Sequence, residues 1–179
     1  MNLQIMPKDT FNLLTEDEKE MFYKSRSTLL VKYSNPDFKT ININDQGDWI
    51  DLKCVGSYDL KKGDFTLIDL GLATRIPSGF EAWLVPRSGT FRKYGLLQTN
   101  SPGIIDESYC GNDDIWKMSV YATRDTHIEH GERLCQFRLM PTFESMIMNK
   151  FPGFSNGLTI IEVDELSGTN RGGFGSTGR

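Results

Sequence analysis

The sequence is poor in the residues that most metal-binding and nucleophilic chemistry uses. It has three cysteines, Cys54, Cys110 and Cys135. Their number is odd and none forms a Cys-x-x-Cys pair, which excludes a disulfide framework or zinc ribbon and predicts a reducing compartment. Two histidines, His127 and His130, lie in DTHIEHGER. No third ligand stands beside them and no Pro-Cys-x-x-Cys follows, so a zinc deaminase is excluded and the pair reads as a turn between strands. Local signatures of Ser/His/Asp or Cys/His catalysis are also missing. There is no excess of basic charge: 20 Lys and Arg against 24 Asp and Glu give a net charge of −4. No basic tract stands out, which argues against a nucleic-acid partner held by a broad electrostatic footprint. Apolar runs fall short of the ~20 residues a membrane span needs. The opening MNLQIMPKDTF lacks the basic-then-apolar order of a signal peptide. A cytoplasmic protein with no membrane partner is expected.

What is present is a rhythm of short strands. WIDLKC, DFTLIDL, LATRI, FEAWLV, DIWKMSVYA, RLCQFRLM and LTIIEVDEL are rich in β-branched and aromatic residues, and several alternate. KKGD, IPSG, SPG and EHGE punctuate them. This spacing predicts an all-β sandwich or barrel in one domain, and the lack of helical segments between strands excludes a parallel α/β sheet. Residues 1–28 read as an N-terminal extension. Thr15 stands three residues before Glu18 in LTEDEKEMFYKS, a capping box that predicts a short helix. Residues 29–170 form the β domain, interrupted at 143–157 by an insertion or long loop. The end, 171–179, is RGGFGSTGR, a glycine-rich tail.

Four stretches carry candidate chemistry. In the tail, Gly173 and Gly178 have P-loop spacing, but Arg179 stands where the Lys belongs and no Ser or Thr follows. An arginine, a ring and donor-rich backbone remain, parts that suit a phosphate and a flat base. VPRSG ends a strand in a turn where Arg87, Ser88 and Gly89 can face phosphate oxygens. NSPGIIDESYCGND places Asp106 three residues before Tyr109 after a Pro-Gly turn, and Gly103 permits close approach. In GERLCQF, Gln136 is expected to face outward from a strand.

PRSG, GIIDESYCG, GERLCQ and RGGFGSTG, in this order and rough spacing, resemble motifs two to five of the homotrimeric dUTPase family. The resemblance covers residues 29–179. For motif one, Asp51 of WIDL lies 35 residues before Pro86, close to the family separation, whereas Asp59 of GSYDL lies eight residues too near. Trp49 replaces a usual glycine, and Asn112 stands where Glu is frequent.

The resemblance implies an antiparallel jelly-roll-like fold and hydrolysis of dUTP to dUMP and pyrophosphate. Water attacks the α-phosphorus, Asp106 orients and deprotonates it, and Mg²⁺ arrives chelated by the triphosphate. Asp51 touches the metal through water. An aspartate of ordinary pKa near 4 is a weak base, so charge neutralisation and alignment must supply most of the rate. Tyr109 matches the ring under the deoxyribose that excludes a 2′-hydroxyl. Asn100, Gly103, Ile104 and Ile105 match the uracil-reading hairpin, and Arg87, Ser88, Gly89 and Gln136 match phosphate-facing groups. Arg171 matches the γ-phosphate arginine. Phe174 matches the ring stacked on uracil, with Gly175, Ser176 and Thr177 beside it. The tail is expected to act as a lid that orders over substrate and comes from another subunit, each site drawing on three chains. The related dCTP deaminases, bifunctional ones included, need a catalytic Glu in the base-facing hairpin, where this chain has GIIDESY. A non-catalytic regulatory scaffold would be signalled by loss of Asp106, Tyr109 or the tail. Residues 1–28 and 143–157 are candidate surfaces for a protein partner.

Overall fold

The computed structural model describes residues 3–25, 27–43, 47–148 and 157–173. The chain runs β1 (Leu3–Met6), α1 (Lys8–Asn12), α2 (Glu16–Lys24), β2 (Thr28–Tyr33), β3 (Ile41–Asn42), β4 (Ile50–Lys53), β5 (Tyr58–Leu60), β6 (Phe65–Asp69), β7 (Leu72–Arg75) and β8 (Phe80–Pro86). It continues through α3 (Thr90–Tyr94), β9 (Leu96–Gln98), β10 (Gly103–Ile105), β11 (Lys117–Ala122), β12 (Thr126–Ile128), β13 (Arg133–Pro141), α4 (Phe143–Ile147) and β14 (Leu158–Glu162).

The dominant sheet has the order β10-β8-β13-β4-β3, antiparallel throughout. Along β8 the alternation of FEAWLV sends Phe80, Ala82 and Leu84 inward. On β13 a register shift between Arg133 and Cys135 buries both Leu134 and Cys135. That bulge is why Gln136 is half-exposed although it shares parity with buried Leu134. Phe137 meets Trp116 edge to face, ring centroids 5.1 Å apart, in the main core. Each such fully buried ring contributes about 1.5–3 kcal/mol through area removed from water.

The other sheets have orders β1-β14-β2-β7, β6-β11-β9 and β12-β5. Two pairings, β1 with β14 and β14 with β2, are parallel. β14 comes from the far end of the chain and slots between β1 and β2, a placement no local pattern announces. The N-terminal helix forms as expected: Thr15 caps α2 and Glu18 returns the bond at 2.8 Å. Two expectations need correction. Residues 143–147 are helical rather than loop, because the Thr142 hydroxyl caps the turn by accepting the Ser145 N–H. His127 lies in β12, not in a turn, where it pairs with Asp59 on β5.

Candidate active site

The carried-over residues fall into two groups. In the first, β4, β13 and β8 set Asp51, Gln136 and Val85 in one cross-strand row. Asp51 is 3% exposed. Its Oδ1 accepts from Arg87 Nε at 2.8 Å and its Oδ2 from Arg133 Nη1 at 3.1 Å. Arg133 Nη1 also donates to Asn42 Oδ1 at 3.1 Å. The turn after β8 is laced to β13, since the Arg87 N–H (3.1 Å) and the Thr90 hydroxyl (2.5 Å) both donate to the Leu134 carbonyl. Ser88 is exposed, and beside Gly89, the N-cap of α3, there is open space. One buried carboxylate thus orients two guanidinium groups and leaves a net positive charge, an arrangement suited to oxyanions. Asp59 is elsewhere: it is exposed and bonded to His127 Nδ1 at 2.6 Å. Trp49 lies under the Arg138 guanidinium, 4.6 Å from ring centroid to carbon.

The second group lines a cavity of about 300 Å³ walled by Asn100, Gly103, Ile104, Ile105, Asp106 and Tyr109, with Leu84, Trp116, Lys117, Arg171, Gly172 and Gly173. β9 and β10 do not pair with each other: β9 joins β11 and β10 joins β8, so residues 99–102 bridge two sheets rather than close a ladder. At Gly103 a Cβ would stand 3.1 Å from the Gln98 amide, so a side chain there would push that amide aside. Asp106 opens a turn that closes with the Tyr109 N–H on its carbonyl at 3.1 Å. Its Oδ1 accepts from the Ser108 N–H (2.9 Å) and hydroxyl (2.5 Å), and its Oδ2 from Arg171 Nη1 at 2.5 Å. Burial pushes this carboxyl up, but the Ser108 bonds and the Arg171 guanidinium outweigh that and hold it below the usual carboxylate range. The Tyr109 hydroxyl donates to the Ile115 carbonyl at 3.1 Å, and Gly173 packs against the Tyr109 ring.

The two groups are not one site within a chain. Asp51 and Asp106 are separated by three strand spacings across the sheet and four residues along it. That is about 14 Å by about 13 Å, roughly 19 Å in all.

Phe174, Gly175, Ser176 and Thr177 lie outside the described residues. Arg171 does not wait for a ligand to become ordered: its N–H and that of Gly172 are held by Asp114. Arg133, Lys117, Trp116 and Asp114 were not singled out by pattern. Arg133 sits inside GERLCQ, yet only its pairing with Asp51 across 82 residues reveals a role. Among the described residues, no group of three or more His, Cys, Asp or Glu side chains could hold a metal ion.

Comparison with known proteins agrees with this architecture. The dUTPase family model matches residues 37–178. A SPbeta prophage-derived deoxyuridine 5′-triphosphate nucleotidohydrolase of Bacillus subtilis is 47% identical over 148 residues, 83% of this chain and 96% of the relative. The deoxyuridine 5′-triphosphate nucleotidohydrolase of Hydrogenobaculum is 34% identical over 132 residues, 72% of this chain and 82% of its own length. Among solved structures, the dUTPase of Streptococcus mutans superposes with a TM-score of 0.55 at 25% identity, covering 62% of this chain and 91% of that one. A dUTPase from phage phi11 of S. aureus, described with a structural Mg(II) ion, shares the fold at a TM-score of 0.57 and 18% identity, over 64% of this chain and 91% of its own.

The chain is an all-β protein with a cavity of about 300 Å³ beside a carboxylate and a cluster of two guanidinium groups on a buried carboxylate. The chain belongs to the dUTPase family. It is accordingly a hydrolase of dUTP.

Proposed function

We propose that the cavity at Asp106 receives the deoxyuridine of dUTP, and that the Asp51–Arg87–Arg133 cluster of a second copy receives its phosphates. Asn100 and the main chain of Gly103, Ile104 and Ile105 read the uracil edge. Tyr109 packs under the deoxyribose and leaves no room for a 2′-hydroxyl. Arg87, Ser88, Gly89 and Gln136 face the phosphates. Discrimination by mispaired buried polar groups reaches ~10⁴-fold or more.

Asp106 is the general base that orients water toward the α-phosphorus. Its Oδ2 is occupied by Arg171 in the free chain. When the guanidinium transfers to a phosphate, that oxygen becomes available to water, and the carboxylate loses a partner that weakens it as a base. Mg²⁺ would be held by the triphosphate, since this ion keeps several waters and favours phosphate oxygens. Asp51 would meet the ion through its water shell rather than as a direct ligand. The ion would supply neutralisation of the charge that builds on the phosphates.

A homotrimer with shared sites, implied by the family resemblance, is supported by the roughly 19 Å gap between the two groups. It is also supported by an exposed apolar row across β6-β11-β9: Phe65, Tyr121 and Leu97 stand side by side, 62%, 42% and 48% exposed. The part of the tail expected to cross between copies, beyond Gly173, lies outside the described residues.

The observation that carries the assignment is Asp106 and Tyr109 in one cavity with the tail arginine. The test is pyrophosphate release with Mg²⁺ from dUTP, dCTP, dTTP and UTP in parallel. Turnover of dUTP alone, lost in Asp106→Asn, is the expected result. Release from dCTP, or an Asp106→Asn variant with undiminished activity, would overturn the assignment.

A further inference from the structure

β9 is the edge strand of one sheet and β10 the edge strand of another. The stretch 100–105, which carries the groups assigned to the base, therefore starts beside β11 and ends beside β8, with no ladder across the gap. Side chains bridge it instead. On one side the Thr99 and Ser119 hydroxyls meet at 2.5 Å, and the Thr99 N–H donates to the Ser119 carbonyl at 3.0 Å. These bonds tie the segment to β11. On the other side stands Gln98. It lies opposite Val120 of β11, which is fully buried, so Gln98 is a polar residue at a core-facing position.

Gln98 Nε2 donates to the Leu84 carbonyl of β8 at 3.0 Å. Leu84 is the residue that sits opposite Gly103 in the β8–β10 ladder. The amide thus packs against the start of β10: a Cβ on Gly103 would stand 3.1 Å from Nε2 and 3.5 Å from Leu84 Cβ. Gln98 Oε1 is buried and accepts no hydrogen bond among the described residues. A buried acceptor left unpaired is a cost, which an apolar side chain of similar length would not carry. The single bond from Nε2 is what the amide contributes, and it joins β9 to the strand on which the base reader rests. Leu84 and Gly103 both line the cavity, and Gln98 stands behind them.

We infer that Gln98 is a positioning residue for base recognition: its side-chain amide takes the place of the missing β9–β10 ladder and fixes the main chain of Gly103, Ile104 and Ile105 where it meets a uracil edge. The inference rests on the site assigned above. Every group in it belongs to one copy of the chain, so it does not depend on which copy supplies the phosphate-facing residues or the tail. A donor and acceptor pattern discriminates between bases only when the main chain that carries it is held in place by its supporting contacts.

The experiment compares Gln98→Met, which keeps the length of the side chain and loses the donor, with the wild-type chain. The first readout is amide exchange in β10. Loss of one hydrogen bond should quicken it roughly fivefold to tenfold, with exchange in β4 and β13 unchanged and the thermal midpoint held. The second readout is KM for dUTP beside the inhibition constants of dCTP and UTP against dUTP hydrolysis. KM for dUTP should rise by a similar factor. The constant for UTP should rise in step, because UTP presents the same base edge. That for dCTP should change little, so the gap between dUTP and dCTP narrows. Gln98→Asn keeps an amide but is one methylene too short to reach Leu84, and it should behave as Gln98→Met does. Exchange in β10 at the wild-type rate would overturn the inference. So would faster exchange with KM and both inhibition constants moving together or not at all, the pattern of a purely structural tie. A wild-type chain that does not turn over dUTP would sink the site assignment and with it the recognition part of the inference, while exchange in β10 would still decide whether Gln98 holds the strand.

Discussion

The two halves of the site are built in opposite ways. Around Asp51 the groups sit on paired strands or on a turn bonded into them: the carboxylate is buried, both its oxygens meet guanidinium groups, and the turn carrying Arg87 is bonded into β13. Around Asp106 the groups sit on β10, on the adjoining turns and on the tail root, range from half-buried Asp106 and Tyr109 to exposed Asn100, Ile104 and Arg171, and border an open cavity. The first half is preorganised for charge that is always present on the substrate. The second holds Asp106 in an ion pair with the exposed Arg171 guanidinium, a partner that a phosphate can displace. Preorganised charge lowers the barrier without reorganisation at the moment of reaction, whereas a displaceable partner makes base activation depend on the ligand.

The largest expected effect separates these roles. Asp106→Asn should lower kcat for dUTP by about 10²–10⁴-fold, the usual share of a general base, with little change in thermal midpoint because the group is exposed at a turn. Asp51→Asn should do the reverse in kind. It leaves two arginines facing a neutral group and should cost about 2–3 kcal/mol of stability, below the ~3–5 kcal/mol of a fully buried pair because both guanidinium groups reach solvent. Denaturant unfolding reads this directly; an unchanged midpoint would erase the contrast.

A smaller effect lies in pH. The carboxyls of Asp106 and Asp114 are both held below their ordinary value, in each case by hydrogen bonds that outweigh burial. A depressed folded pKa contributes stability above the unfolded value, near 3.9, that is lost as pH falls through the folded pKa. Activity and tail docking should therefore persist to about pH 4 and fail together below it. Arg171→Gln should move the acid limb of kcat/KM to higher pH, and an unmoved limb would show that Arg171 does not tune the base.

The smallest effect has the opposite sign. His127 donates to Asp59 and lies 3.0 Å from Glu129, and the Asp59 bond, then the Glu129 bond, raises its pKa. A raised folded pKa contributes stability that is complete below about pH 6.5 and lost as pH rises through the folded value. Amide exchange in β5 and β12 should quicken on that side, while exchange at the tail root should not. Loosening of both regions over one pH range would mean the clasp and the dock are coupled.

Much of the architecture was legible in the chain. WIDLKC, DFTLIDL, LATRI, FEAWLV, DIWKMSVYA, RLCQFRLM and LTIIEVDEL each contain a strand, because alternation and β-branched residues are local properties. The Thr15–Glu18 capping box is equally local. β1, β2, β3, β5, β9 and β12 escaped notice: five of them have two to four residues, too little pattern to stand out, and the six-residue β2 was passed over at the edge of the N-terminal extension. Asp51 was separable from Asp59 by spacing, and it is Asp51 that meets Arg87. Arg133 and Asp114 were not legible in the same way. Their partners lie 82 and 57 residues away, and a buried acid looks like any other in a string of letters.

The sequence by itself determined the chemical groups and their order: an acid and a ring after a Pro-Gly turn, an arginine after a strand, a glycine-rich end. Those are statements about neighbours, and short-range conformational preference is enough to decide them. Only the tertiary structure decided which groups share a half-site. β13 lies between β4 and β8, and this joins Asp51 to Arg87 and Arg133. Asp114 reaches the tail root and brings Arg171 onto Asp106. These pairings bring distant parts of the chain together at a loop-closure cost that buried contacts across the whole fold must offset, so no local stretch of sequence specifies them.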